Sequence, residues 1–182
     1  MPSTSEARPA RCCGCGAASR PHGANLVVHG DGTRERQVRG PAGAAGPPEL
    51  VGVRVRRFEC QRCGTCMVVV PVELLPRRLY TASAIGLALA LWSLVGRTEA
   101  ATRTRVSPFA IVGAGATARW MTLRRWATDA GASRLFATAR APPPGLVRRQ
   151  HAERAAAALV ALAPPGLPLE QAAFAGGALH RR

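Results

Sequence analysis

The chain has 182 residues and a mass of 19.1 kDa, room for one ordinary domain or two very small ones. It holds 25 basic residues, all of them arginine, against 10 acidic ones, for a net charge of +15. Those figures exclude a large multidomain enzyme, and neither a coiled-coil nor a collagen repeat is present.

A nuclease core that holds two metal ions on three separated carboxylates is a poor match, because Asp31 and Asp129 are the only aspartates and the glutamates stand singly. High genomic GC content explains arginine in place of lysine, but not the excess of bases over acids. That excess points to a polyanionic partner, nucleic acid first. Aromatic residues are 4%, so the core must be built from Ala, Val and Leu.

In chain order, residues 1–10 read as disordered and without the apolar stretch of a secretory signal, so a cytoplasmic, reducing setting is expected. In such a setting six cysteines argue for metal rather than disulfides. Residues 11–75 carry all six and the strand-like runs. Residues 24–29 predict a strand, Gly30-Asp31-Gly32 a turn, and 33–39 a second strand. Residues 40–49, GPAGAAGPPE, form a flexible loop by composition. In 50–60, Val51, Val53 and Val55 alternate with Gly52, Arg54 and Arg56, the period of a half-buried strand with one basic row. Residues 65–70 give one more strand, and 71–80 a proline-bracketed connector.

Helical reading begins at Thr81, a natural N-cap. Residues 79–96 hold no charge, which raises a single-pass membrane span as one alternative. The helix from Ala82 to Val95 reaches only ~21 Å, short of the ~30 Å hydrocarbon layer, so a buried core helix is expected. A break follows near 97–107. Ser107-Pro108 then reads as an N-cap and first helical position, opening a short helix to Val112. Gly113-Ala114-Gly115 makes a compact turn, and a second helix covers about 118–130. On it Trp120, Leu123, Trp126 or Ala127, and Ala130 recur at helical spacing and should face the core, leaving Arg119, Thr122, Arg124 and Arg125 outward. That is the layout of a helix-turn-helix recognition helix. Residues 131–145 read as a linker, 146–163 as a helix stopped by Pro164 and Pro165, and 164–182 as a flexible tail.

The cysteines carry the most specific signal. Cys12-Cys13-Gly14-Cys15-Gly16 and Cys60-Gln61-Arg62-Cys63-Gly64 are both C-x-x-C-G units. Two intervening residues let both thiolates converge on one ion, and the glycine permits the positive φ of a tight knuckle. Two knuckles supply the four thiolates of a closed structural Zn2+ site, expected on Cys12, Cys15, Cys60 and Cys63. Cys13 and Cys66 are left over. Cys66 also stands at C-x-x-C spacing from Cys63, so its exchange with Cys60 stays open. His22 and His29 read as solvated side chains.

The string from Phe58 to Gly64, followed by P-x-x-L-L-P-R-R-x-Y from Pro71 to Tyr80, resembles the zinc-ribbon N-terminal regions of bacterial insertion-sequence transposases and related short proteins of unassigned function. Thr122 to Trp126 matches the T-L-R-R-W type string of their last helix. The resemblance covers about 11–130. It implies an α+β fold: a four-cysteine zinc ribbon, then a three-helix helix-turn-helix unit, with an extra C-terminal helix here. It implies binding of double-stranded DNA by a transposase-related targeting module or orphan remnant, not an enzyme, since no catalytic domain follows. A transposase or a second copy of the chain is a further partner to consider. The remaining alternative is a zinc-dependent protein-protein interaction module working through the apolar C-terminal helix. On the DNA reading, Arg119, Thr122, Arg124 and Arg125 face bases and phosphates, while Arg54 and Arg56 face phosphates.

Overall fold

A computed structural model describes residues 6–71, 73–75, 77–136 and 142–180. The fold is α+β, as the sequence predicts, and divides into two compact units. One comprises the described residues up to Gln37 together with Gly52–Pro71. The other comprises Val38–Val51 and the described residues beyond Pro71.

A three-stranded sheet runs in the order β1 (Val28–Pro41), β2 (Pro48–Cys60), β3 (Cys66–Val69), and the first unit holds β3 with β1 up to Gln37 and β2 from Gly52. Strands β2 and β3 are antiparallel, with Phe58 opposite Met67 and Glu59 opposite Cys66. A small core of Cys12, Val28, Phe58, Cys60 and Met67 is closed by Ala7, Val27 and Val69. The valine alternation holds only in part. Val55 is buried but Val51 is exposed, and the buried set changes phase between Val55 and Phe58. The turn predicted at Gly30-Asp31-Gly32 is absent, because β1 runs straight through it. Gly32 takes φ +74°, the left-handed conformation that an irregular strand residue needs, and Asp31 pairs with Arg57 at 2.7 Å across the sheet. Residues 6–10 are also not loose. Ser19 N–H donates to Ala10 O at 2.9 Å, and the Ser19 hydroxyl donates to Pro9 O. The rest of the segment predicted as disordered lies outside the described residues.

The second unit is helical: α1 (Ala82–Ser93), α2 (Glu99–Val106), α3 (Met121–Gly131), α4 (Arg148–Leu162) and α5 (Leu169–Leu179). Thr81 caps α1 as predicted, its hydroxyl accepting from Ala84 N–H at 3.0 Å. Every residue of α1 from Ala82 to Trp92 is buried, so it is the axis on which α4 and α5 pack. Its 12 residues span only ~18 Å, and among the described residues no helix is long and apolar enough to cross a membrane.

Several expectations in this unit need correction. The segment 97–107, read as a break, contains α2. The helix read from Pro108 to Val112 does not form, and Gly113–Ala116 is a single 3-10 turn. Ser107-Pro108 closes a helix rather than opening one: Ser107 is the C-cap of α2, and proline is common just beyond a C-cap. Fourteen residues, 107–120, therefore separate α2 from α3, where a helix-turn-helix joins its helices by three or four. The segment 131–145, read as a linker, buries Leu135 and Phe136 in the helical core, while residues 137–141 of it lie outside the described residues.

The segment read as a flexible tail contains α5. Its small residues let it approach its neighbours closely. A Cβ at Gly176 would stand 1.8 Å from Leu159 O, and one at Gly177 would stand 2.6 Å from Ala82 O. On the opposite side, a Cβ at Gly86 of α1 would stand 2.8 Å from Ala173 O. Gly176→Ala should force these helices apart and destabilise the unit by ~1–3 kcal/mol or more, read as a lower thermal midpoint. The composition loop 40–49 is also held: Arg105 donates to Gly46 O at 2.6 Å and to Ala44 O. At Gly40 a Cβ would meet the Ala84 methyl at 2.4 Å.

Candidate metal centre and basic surfaces

Each cysteine knuckle is a tight turn, and the two are built alike. Cys12 N–H donates to Ala17 O at 2.9 Å, and Cys60 N–H to Thr65 O at 3.1 Å. Gly16 N–H donates to Cys12 O at 3.0 Å, and Gly64 N–H to Cys60 O at 2.8 Å. Gly16 and Gly64 share φ +71°, a value at which any Cβ is strained. The equivalence of Cys12 with Cys60 and of Cys15 with Cys63 settles which second pair forms the knuckle.

The four sulfurs converge. Cys12 Sγ lies 3.6 Å from Cys63 Sγ, and Cys15 Sγ lies 3.8 Å from Cys60 Sγ. All four lie within 4.8 Å of one another, and each thiol is free of a disulfide. Sulfurs ~2.3 Å from a shared tetrahedral centre stand ~3.8 Å apart, so the cluster has the size of a four-thiolate metal site. Cys12 and Cys60 are buried, while Cys15 and Cys63 are exposed.

Local hydrogen bonds grade the thiols. Thr65, through its hydroxyl 3.1 Å away and then its backbone, draws Cys63 down to about 6. The backbone of Cys15 lowers Cys12. At Cys15 the Ala17 backbone acts in the lowering direction, but burial and the neighbouring thiols push it up to about 11. Such mutual opposition is what a bound cation relieves, since it lets all four sulfurs be thiolates together. Thr65 also fills the space over Gly14, where a Cβ would stand 2.3 Å from the Thr65 hydroxyl oxygen. Nothing in the sequence around Thr65 marks it for that role.

Cys13 and Cys66 are exposed and stand apart from the cluster. Cys66 lies on β3, with Arg57 Nη2 3.8 Å from its sulfur. His22 and His29 are exposed, and His29 Nε2 lies 2.8 Å from Leu26 O. Cys13→Ser and Cys66→Ser should each leave the metal content per chain unchanged by elemental analysis.

The arginines proposed for DNA divide differently. Arg54 is exposed and Arg56 half-buried on β2. Around α3, Leu123, Trp126, Ala127 and Ala130 face the core as predicted, while Arg119 and Arg125 are exposed and Thr122 half-buried. Arg124 does not point to solvent. It donates to Glu99 Oε1 through Nε at 2.9 Å and Nη2 at 2.6 Å, and Glu99 Oε2 accepts from Trp120 N–H at 2.6 Å. Glu99 thus ties the start of α3 to α2. Trp120 and Trp126 meet edge to face at 5.2 Å, and Tyr80 packs edge-on to both.

Burial acts to raise the Glu99 carboxyl, but the Arg124 hydrogen bonds, the Trp120 N–H and the charges of Arg124 and Arg119 hold it below its ordinary 4.5. Asp129 is held below 3.8, with burial opposed by hydrogen bonds from Arg134 and Arg78. A carboxylate with a depressed folded value stabilises fully above its unfolded value and loses that contribution as pH falls through the folded one. Tryptophan-detected thermal midpoints should therefore fall progressively below about pH 5. Glu99→Gln should start lower at neutral pH and fall less steeply.

Compared with known proteins, the chain matches no family model, no curated protein and no solved structure.

Proposed function

We propose that this chain is a zinc-stabilised protein that binds double-stranded DNA, as a targeting module of the transposase-related kind or an orphan remnant of one. The observation that carries the zinc reading is the convergence of the four sulfurs of Cys12, Cys15, Cys60 and Cys63. Four thiolates on two glycine-ended knuckles, with nothing else among the ligands, suit Zn2+ in a closed structural site rather than a catalytic one. The ion would hold the two knuckles together and so support a sheet whose own core has five buried residues.

The DNA reading rests on charge and its display. The net charge of +15 comes from arginines on the surfaces of both units. Arg54 and Arg56 on β2, and Arg119, Thr122 and Arg125 around α3, would make the contacts. Arg124 serves as a structural anchor through Glu99, which removes it from the contact set. Because the two-helix geometry of a helix-turn-helix is not formed, α3 would act as a single basic helix packed on α1 and α4. The alternative of a protein-protein module through the apolar face of the helix at 146–163 loses its surface. In α4, Ala152, Ala155, Ala156 and Leu159 are already buried in the core.

Fluorescence anisotropy on random and selected duplexes at several salt concentrations tests this. Binding should weaken steeply with salt, since each phosphate contact releases counterions. Arg54→Ala should weaken all duplexes alike and lower the salt slope by about one, whereas Arg125→Ala should cost ~1–3 kcal/mol. Absence of duplex binding at low salt would end the DNA reading.

A further inference from the structure

A cavity of ≈ 330 Å³ opens on the helical unit, between α3 and α4. Five arginines line it, Arg78, Arg124, Arg125, Arg134 and Arg148, with Thr128 and Asp129, and the Arg124 guanidinium is turned to Glu99. One carboxylate against five cations leaves a large positive excess, and Glu99, on Arg124, offsets only one more. Asp129 does not fill the space. It sits at the wall, with Oδ1 accepting from Arg134 at 2.7 and 3.1 Å and Oδ2 accepting from Arg78. Its effect is to fix the directions of two guanidinium groups. Thr128 does the same for Arg148, whose Nε lies 3.4 Å from the Thr128 hydroxyl. Arg125 lines the cavity and is exposed.

We propose that this cavity is a site for one phosphate group. Asp129 engages the Nε and Nη2 edge of Arg134 and Thr128 the Nε of Arg148, which leaves their remaining Nη–H donors, with the guanidinium of Arg125, for phosphate oxygens. The cavity walls are also the first residues of α3 and α4, Met121 and Arg148, at the positive ends of both helices. The positive charge that the two carboxylates leave over attracts a phosphate, whether the dianion of a free phosphate or the single charge of a duplex backbone group. The group comes either from the backbone of a DNA duplex or from a free phosphate, and the chemistry of the cavity is the same for both. The duplex source rests on the DNA-binding function proposed above; the site itself does not.

The test uses the full zinc-loaded chain and the variants R125Q, R148Q and the double variant, with R149Q as a control. Arg149 is exposed on α4 and does not line the cavity, so R149Q changes the charge as much as either single variant. Inorganic phosphate is titrated while the arginine Nε–Hε signals are followed by NMR, and a duplex is titrated by anisotropy. The Arg125 and Arg148 signals should shift saturably with phosphate, and those of Arg149 should not. The double variant should lose about tenfold in duplex affinity and about one unit of salt slope, with an unchanged thermal midpoint. Saturable phosphate shifts without any duplex binding would leave the site standing for free phosphate and overturn only the DNA reading. Equal losses in R149Q and in the single variants R125Q and R148Q, or phosphate shifts spread evenly over all arginines, would overturn the cavity as a site.

Discussion

Cys60→Ser should release the metal and unfold the three-stranded unit while the helical unit stays folded. Cys60 is buried at the centre of the small core, beside Phe58 and Cys12, and its sulfur faces that of Cys15 at 3.8 Å. A structural zinc site contributes ~10 kcal/mol or more to such a domain. Five buried residues cannot replace that, because single small cores rarely supply more than ~3–5 kcal/mol. The three tryptophans, Trp92, Trp120 and Trp126, all lie in the helical unit, so their fluorescence reports that unit alone. The variant should therefore show lost strand signal and protease cleavage within 11–37 and 52–71, with the tryptophan emission of wild type. A strong chelator should reproduce the result. Retention of one metal per chain by Cys60→Ser would exclude Cys60 as a ligand.

Trp126→Ala should do the reverse. Trp126 is 2% exposed and meets Tyr80 and Trp120 edge to face at 5.0 and 5.2 Å. Removing it deletes the middle of the aromatic group that seats α3 against the connector before α1. The cost is ~3–5 kcal/mol for the cavity, to which each lost aromatic pair adds ~0.5–1.5 kcal/mol. Urea unfolding followed by circular dichroism should show the helical transition moving to much lower denaturant, with metal content unchanged. A loss below about 1 kcal/mol would mean that α3 is not anchored through this ring.

What was legible in the sequence follows from how local each feature is. The knuckles are legible because a C-x-x-C-G unit fixes its own turn: both Gly16 and Gly64 take the positive φ that the spacing requires. The choice between Cys60 and Cys66 is not local, and only the matched hydrogen bonds of the two knuckles decide it. Helix α1 is legible from Thr81 and an uninterrupted apolar run. Helix α2, by contrast, has a polar sequence, EAATRTRV, with no clear apolar stripe. It is held from outside, by Arg103 on Gly115 O and Ala116 O, Arg105 on the 40–49 segment, and Glu99 on α3. Ser107-Pro108 misleads because the same dipeptide suits the end of one helix and the start of another. Helix α5 hides because Ala and Gly carry little hydrophobic signal, yet those residues permit its close approach to Leu159 and Ala82.

Outward arginines were legible as a set but not one by one. Arg119 and Arg125 are exposed as expected, while Arg124, next to Arg125 in sequence, turns to a carboxylate 25 positions earlier. The cavity shared by Arg78, Arg134 and Arg148 joins residues 70 positions apart, which no spacing rule reveals.

X-ray absorption at the zinc edge of the purified protein tests the central claim most directly. One zinc per chain with four sulfur neighbours at about 2.3 Å is the result that two matched knuckles require. A shell containing nitrogen or oxygen, or fewer than four sulfurs, would contradict it, as would a folded sheet with no metal bound.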